Sequence, residues 1–210
     1  MKFSSILLIG PPGVGKGTQG KVLGSLPGFF HCACGDVFRT LDSGSELGRV
    51  FTEYSSRGEL VPDEYTVRLW HKRLHDLASV GEWNPADDVL ILDGIPRSAR
   101  QARMLDEYVD VLKVIVLDVE RRDDLIERIR RRALRSNRFD DAREDVIRQR
   151  LQVYEDEAGE LLAHYKDRAP ATVDADQPPL IVLERIIGIV KEAVGVGSFD
   201  RRNGAGKRER

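Results

Sequence analysis

Near the start of the chain, Gly10-Pro11-Pro12-Gly13-Val14-Gly15-Lys16-Gly17-Thr18 has the residue types and spacing to hold a polyphosphate. Glycines let backbone N–H groups curl inward and come close to phosphate oxygens. A helix opening behind the loop adds positive potential and free N–H donors. Lys16 brings a compact positive charge for the outer phosphates, and Thr18 offers a hydroxyl toward phosphate or a magnesium ion. Gly17 stands where the general pattern has Ser or Thr, and the hydroxyl comes one residue later. Taken alone, the loop implies a nucleoside triphosphate and no particular reaction. Farther on, eleven Arg and eight Asp or Glu crowd the stretch Glu120–Arg150. Much of this is a solvated face with i, i+4 charge pairs. Arg121, Arg122, Arg130, Arg143 and Arg148 read that way, while Arg131 and Arg135 stay open.

Such residues need a frame. Short apolar runs at Ser5–Ile9, Phe29–Cys32, Val89–Leu92, Leu112–Leu117 and Ala171–Val173 read as strands. Ile6–Ile9 and Val89–Leu92 are apolar on both faces, the pattern of a parallel strand covered by helices on each side. Between the strands lie helical patterns; Leu183, Ile186, Ile187 and Val190 recur at i, i+3, i+4, i+7. The alternation predicts an α/β fold with a parallel sheet and ligands beyond the carboxyl ends of its strands. Lys16 follows the first strand, and Asp93 closes the third.

The bulk properties narrow the classes. The 210 residues are 41% hydrophobic and 32% charged, with 33 basic and 35 acidic side chains. That fits one globular domain and lacks the basic excess of a nucleic-acid binder. The most apolar late stretch, Leu180–Val190, is broken by Glu184 and Arg185, so no membrane span is expected. Cys32 and Cys34 are too close in an extended segment for a good disulfide, and no second pair exists for structural zinc. Two buried thiols in a cytoplasmic chain are expected. His31, His71, His75 and His164 have no metal-like spacing, and Trp70 and Trp83 read as packing residues. The Gly- and Arg-rich stretch 195–210 reads as a flexible basic tail.

With these residues in view, the chain resembles the adenylate kinases, the nucleoside monophosphate kinases with a short LID. Gly15-Lys16-Gly17-Thr18-Gln19 is similar to the family's loop variant. Gly35-Asp36-Val37-Phe38-Arg39, Ser43–Gly48 and Gly58–Asp63 resemble its monophosphate-binding insertion. Asp93-Gly94-Ile95-Pro96-Arg97-Ser98 with Gln101 resembles the Asp-Gly-Phe-Pro-Arg segment. Arg138-Phe139-Asp140-Asp141 with Arg150 is similar to the LID signature, with one residue more between the two arginines. The match leaves only the tail outside.

The resemblance implies a P-loop NTPase fold with a five-stranded parallel sheet. A helical insertion at 33–61 and a short LID at 131–141 would flank a core of 1–32, 62–130 and 142–194. It implies Mg²⁺-dependent transfer, ATP + AMP ⇌ 2 ADP, by a monomer with no structural zinc. Gly13, Val14, Gly15, Lys16, Gly17, Thr18, Arg128, Arg132, Gln177 and Pro178 would bind ATP. Cys34, Gly35, Arg39, Glu59, Leu60, Val61, Gly94, Ile95, Pro96, Arg97, Gln101, Arg138 and Arg150 would bind AMP. Lys16, Asp93, Arg97, Arg132, Arg138 and Arg150 would act in the transfer, Asp93 through magnesium-bound water. The chemistry needs guanidinium groups, which stay charged and fork onto phosphate oxygens.

The acceptor base is read from two places that disagree. Ala33-Cys34 replaces the family's Ser-Thr pair and removes a hydroxyl near the base. Gln101 matches the glutamine that reads adenine, since an amide pairs one donor and one acceptor on a base edge. AMP is favoured over CMP or UMP. A UMP/CMP kinase of the same fold is one alternative, a P-loop nucleotide-binding protein without catalysis another. The stretch 75–88 is longer than the family usually carries and has no assigned role.

Overall fold

The computed structural model describes residues 2–136 and 143–195, with backbone alone at 135 and 136. The elements run β1 (Phe3–Ile9), α1 (Lys16–Gly24), β2 (Phe29–Ala33), α2 (Cys34–Arg39), α3 (Glu46–Ser56), α4 (Asp63–Ser79) and β3 (Val89–Asp93). They continue with α5 (Ala99–Leu105), β4 (Val109–Asp118), α6 (Arg122–Ser136), α7 (Glu144–His164), β5 (Ala171–Asp174) and α8 (Pro179–Val194). The strands form one sheet in the order β2-β3-β1-β4-β5. Every pairing is parallel.

The doubly apolar strands explain the layering. Successive strand side chains point to opposite faces. Leu7, Leu90, Leu92 and Val114 enter a core with Trp70, Leu74 and Ala102 on one face of the sheet. Ile6, Leu8, Ile91 and Ile115 enter a second core with Leu23, Ile126 and Ile186 on the other. All of these side chains are buried. The sheet is therefore covered on both sides, as the apolar runs predict.

Each expected strand lies inside an observed one, and the edges differ. β4 reaches back to Val109, where Asp110 interrupts the apolar pattern, and its register with β1 slips between Ser5 and Ile6. α6 runs to Ser136, so helix covers the first residues of the span 131–141 that the resemblance implies as LID. The Arg131–Glu127 pair at i, i+4 lies on this helix. After α4, Trp83 is buried, with its ring against Phe3 and Phe30 at centroid distances of 4.9 and 5.7 Å. The stretch 75–88 thus ends a helix and sets Trp83 into the core on one face of the sheet. Among the described residues no helix is long and apolar enough to cross a membrane. Arg138 to Asp141 and the tail from 196 lie outside the described residues.

Candidate functional site

The carboxyl ends of β1, β2 and β3 open into a cleft of about 830 Å³. The register brings them level: Leu8 of β1 and Ala33 of β2 both pair with Asp93 of β3. The residues that follow each strand therefore converge on one place. Gly10 to Thr18 arrive from β1, Gly35 to Arg39 from β2, and Gly94 to Arg97 from β3.

The phosphate-type loop has the backbone its glycines allow. Gly15, at φ 111°, is the N-cap of α1 and supplies no side-chain cap. A Cβ there would meet nothing within 4 Å, so glycine is needed for conformation and not for space. Lys16 Nζ donates to the carbonyls of Gly10 at 2.6 Å and Pro11 at 3.0 Å, folding the ammonium across the loop. Burial pulls its pKa down to about 8, opposed by Asp93 and assisted by Arg97, Arg132 and Arg150. Gly17 also has a local reason. A Cβ at that position would stand 3.2 Å from Asp93 Oδ2, so a bulkier residue would press on the carboxylate.

Asp93 is a half-buried carboxylate at the floor of the cleft. Burial works to raise its pKa, but His31, Lys16 and Arg97 together hold it below the ordinary carboxylate value. It therefore stays ionised at neutral pH. His31 Nε2 stands 3.7 Å from Asp93 Oδ2, an ion-pair distance and too long for a hydrogen bond.

Arginines surround this floor. Arg97 donates from Nε to the Gly94 carbonyl at 2.8 Å, on a segment whose Ile95–Pro96 peptide is cis. Arg39 lies 3.4 Å from Asp36 on α2. Arg128 reaches the Ala175 carbonyl and Asp176 at 3.3 and 3.4 Å. Arg39, Arg97, Arg128, Arg132 and Arg150 all line the cleft, and so does Arg131. By contrast Arg121, Arg130, Arg143 and Arg148 form exposed pairs with Asp124, Glu144, Asp145 and Glu144. Arg122 pairs with Asp118 and Glu155.

A smaller cavity of about 50 Å³ opens beside the arginines. Cys34, Phe38, Phe51, Val61 and Gln101 give it an apolar wall with one amide. Glu59, Leu60, Gly94, Arg97 and Arg150 lie where it meets the main cleft. Both thiols are buried and free, and burial pushes their pKa values up to about 12. Cys34 here is an apolar wall residue and not a nucleophile.

Most sequence-expected residues meet in these two spaces. Gly13, Val14, Gly15, Thr18, Gly35, Pro96 and Gln177 line the cleft. Ile95 is buried and lines neither, and Pro178 is replaced at the cleft by its neighbour Pro179. Arg138 lies outside the described residues. Sequence reasoning missed His31, Gln19 and Asp63. Gln19, buried in α1, donates to the Pro179 carbonyl at 3.0 Å and ties the loop's helix to the start of α8. Only its place after the Gly-Lys-Gly-Thr run marked it. Among the described residues, no group of three or more His, Cys, Asp or Glu could hold a metal.

This geometry agrees with the comparisons to known proteins. Residues 8–170 match the adenylate kinase family profile. The chain belongs to the adenylate kinase family. It is 37% identical to an adenylate kinase of Thermobifida fusca over 196 residues, 89% of this chain and 97% of that protein. Adenylate kinases of Kocuria rhizophila and of a Cyanothece species are 35% and 36% identical, over 94% and 92% of this chain and 94% and 98% of theirs. Membership explains why arginines from α2, the segment after β3, α6 and α7 line one cleft with a phosphate-type loop: the family's reaction brings two polyanions together.

Proposed function

We propose that this chain catalyses ATP + AMP ⇌ 2 ADP, with the triphosphate on the Gly10–Thr18 loop and the monophosphate between Arg39 and Arg97. One observation carries the reading: the cleft has two anion-binding ends, not one. The loop and Lys16 serve one end; Arg39 and Arg97, beside the small apolar cavity, serve the other. A triphosphate switch without transfer has no use for the second end.

The residues act by position and charge. Transfer passes through a loose transition state with charge on the moving phosphoryl oxygens, so holding two nucleotides in line supplies most of the catalysis. Lys16 and the loop amides grip the donor's outer phosphates. Arg39 and Arg97 orient the acceptor phosphate. Arg132 and Arg150 supply charge between the ends, a role that the family match also assigns to Arg138. Arg128 and Gln177, with Pro179 beside them, hold the donor nucleoside. Cys34, Leu60, Val61 and Gln101 enclose the acceptor base. Thr18 and the ionised Asp93 both line the cleft and offer oxygen donors of the kind magnesium favours, through its waters. Magnesium bound with ATP would neutralise phosphate charge there. A single copy of the chain carries both ends, which supports a monomer.

A panel of AMP, CMP and UMP with ATP and magnesium tests the acceptor. ADP formation from AMP at the highest efficiency is the expected result. Turnover of CMP or UMP with none of AMP would overturn the adenine assignment. Failure of diadenosine pentaphosphate to bind would instead favour a binding protein with one nucleotide site.

A further inference from the structure

Gln101 is 1% exposed and presents its amide at the small cavity. Both ends of the amide are already engaged. Nε2 donates to Asp63 Oδ1 at 2.8 Å, and Oε1 accepts from the Arg97 backbone N–H at 2.8 Å. A carboxylate only accepts and a backbone N–H only donates. Turning the amide over would set oxygen against oxygen and N–H against N–H. The partners' chemistry therefore fixes its orientation.

Asp63 is itself held. Its Oδ2 accepts from Ser98 Oγ at 3.3 Å, and Ser98 Oγ caps α5 by accepting from the Gln101 N–H at 3.0 Å. Asp63 is the first residue of α4, so the first turns of α4 and α5 meet through this one carboxylate. Arg100 and Glu64 pair on the rim beside it.

We propose that Asp63 is a specificity-determining positioning residue that locks the Gln101 amide and thereby selects a 6-amino over a 6-oxo purine. This rests on the AMP reading above. With two positions used, the amide keeps one N–H and one lone pair for a base edge. Adenine offers an amino donor next to a ring-nitrogen acceptor and fits that pair. A 6-oxo purine offers a carbonyl acceptor next to an N–H donor, the reverse order. A freely turning amide serves either base; a locked one serves the first. Cytosine repeats the donor–acceptor order of adenine, so Asp63 does not separate AMP from CMP.

The test measures kcat and KM for AMP and for inosine monophosphate with ATP in wild type, Asp63→Ala and Asp63→Asn. In the Ala variant, water at the vacated carboxylate both donates and accepts, so the amide loses one of its two restraints and only the Arg97 N–H still orders it. The AMP-to-inosine-monophosphate efficiency ratio then falls about tenfold, the worth of one hydrogen bond to a charged group. The loss lies in the KM values, with kcat for AMP and the KM for ATP near wild type. Asp63→Asn keeps the side-chain volume, but its amide both donates and accepts, so it lowers the ratio as well. An unchanged ratio in a folded Asp63→Ala overturns the proposal, as does an unchanged ratio in Asp63→Asn. If Asp63→Ala does not fold, Asp63→Ser is read in its place, its hydroxyl being both donor and acceptor. A merely structural Asp63 would lower kcat and melting temperature while leaving the ratio alone. Failure of the AMP reading shows separately, as wild type that forms no ADP from ATP and AMP.

Discussion

Lys16 carries a conflict that pH can expose. Its ammonium is folded into the loop, and its pKa is lowered from 10.5 to about 8. Between those values the unfolded chain binds more protons than the folded one, so this group's contribution to stability rises with pH across the window. Function runs the other way, because the neutral amine does not attract phosphate. Between pH 7 and 9, kcat/KM for ATP should therefore fall with an apparent pKa near 8, measured in the free enzyme. Bound phosphates restore the charged form, so kcat should change less. Arg97 gives the second prediction at this scale. It is exposed and held by one hydrogen bond to Gly94. Arg97→Ala should cut turnover roughly 10²–10³-fold, with melting nearly unchanged; near-normal turnover would remove it from the transfer step. Lys16, Arg97 and Asp93 were legible because their types and spacing are the chemistry. Asp63 was not, since a carboxylate opening a helix looks like an ordinary first-turn acid.

Elements decide how closely the reacting parts approach. α1 has little apolar periodicity, yet it packs on β2 and β3. Glycines make this possible: a Cβ at Gly20 would lie 2.5 Å from His31 Nε2, and one at Gly24 2.4 Å from His31 Cβ. Gly58 does the same for the monophosphate insertion. It is buried at φ 73°, and a Cβ there would stand 2.7 Å from the Val146 carbonyl and 3.1 Å from Arg150 Cγ. The insertion therefore seats directly on α7, next to an arginine of the cleft. Gly58→Ala should cost roughly 1–3 kcal/mol from backbone strain alone and push the insertion off α7. A lower melting temperature with a raised KM for AMP and an unchanged KM for ATP is expected. Equal KM changes for both nucleotides would contradict this seating. The pattern Gly58–Asp63 was visible in the sequence, but nothing in it says which helix the glycine meets.

The molecule as a whole is one sheet with a core on each face, and the cleft is the far end of that sheet. Ile91 lies at the centre, fully buried and paired in register with Ile6 and His31. Ile91→Ala should destabilise the chain by about 2–5 kcal/mol, read as an earlier denaturant midpoint. The KM values at 25 °C should hold in the fraction that stays folded, because the side chain faces the core and not the nucleotides. The five strands were legible because they are apolar on one or both faces over runs of at least three residues. Their ends were not: Asp110 hides the start of β4.

The sequence by itself determined the reaction class, the sheet and the phosphate loop. Each of these depends on residue types at short spacing, which local backbone geometry turns directly into shape. Only the tertiary structure decided what those residues face. Lys16 is pressed by arginines from the segment after β3, from α6 and from α7, Gly17 leaves room for Asp93, and Gln101 is oriented by Asp63 from another helix. Such contacts join residues 38 to 134 positions apart, where no periodicity reaches and only packing brings charge to charge.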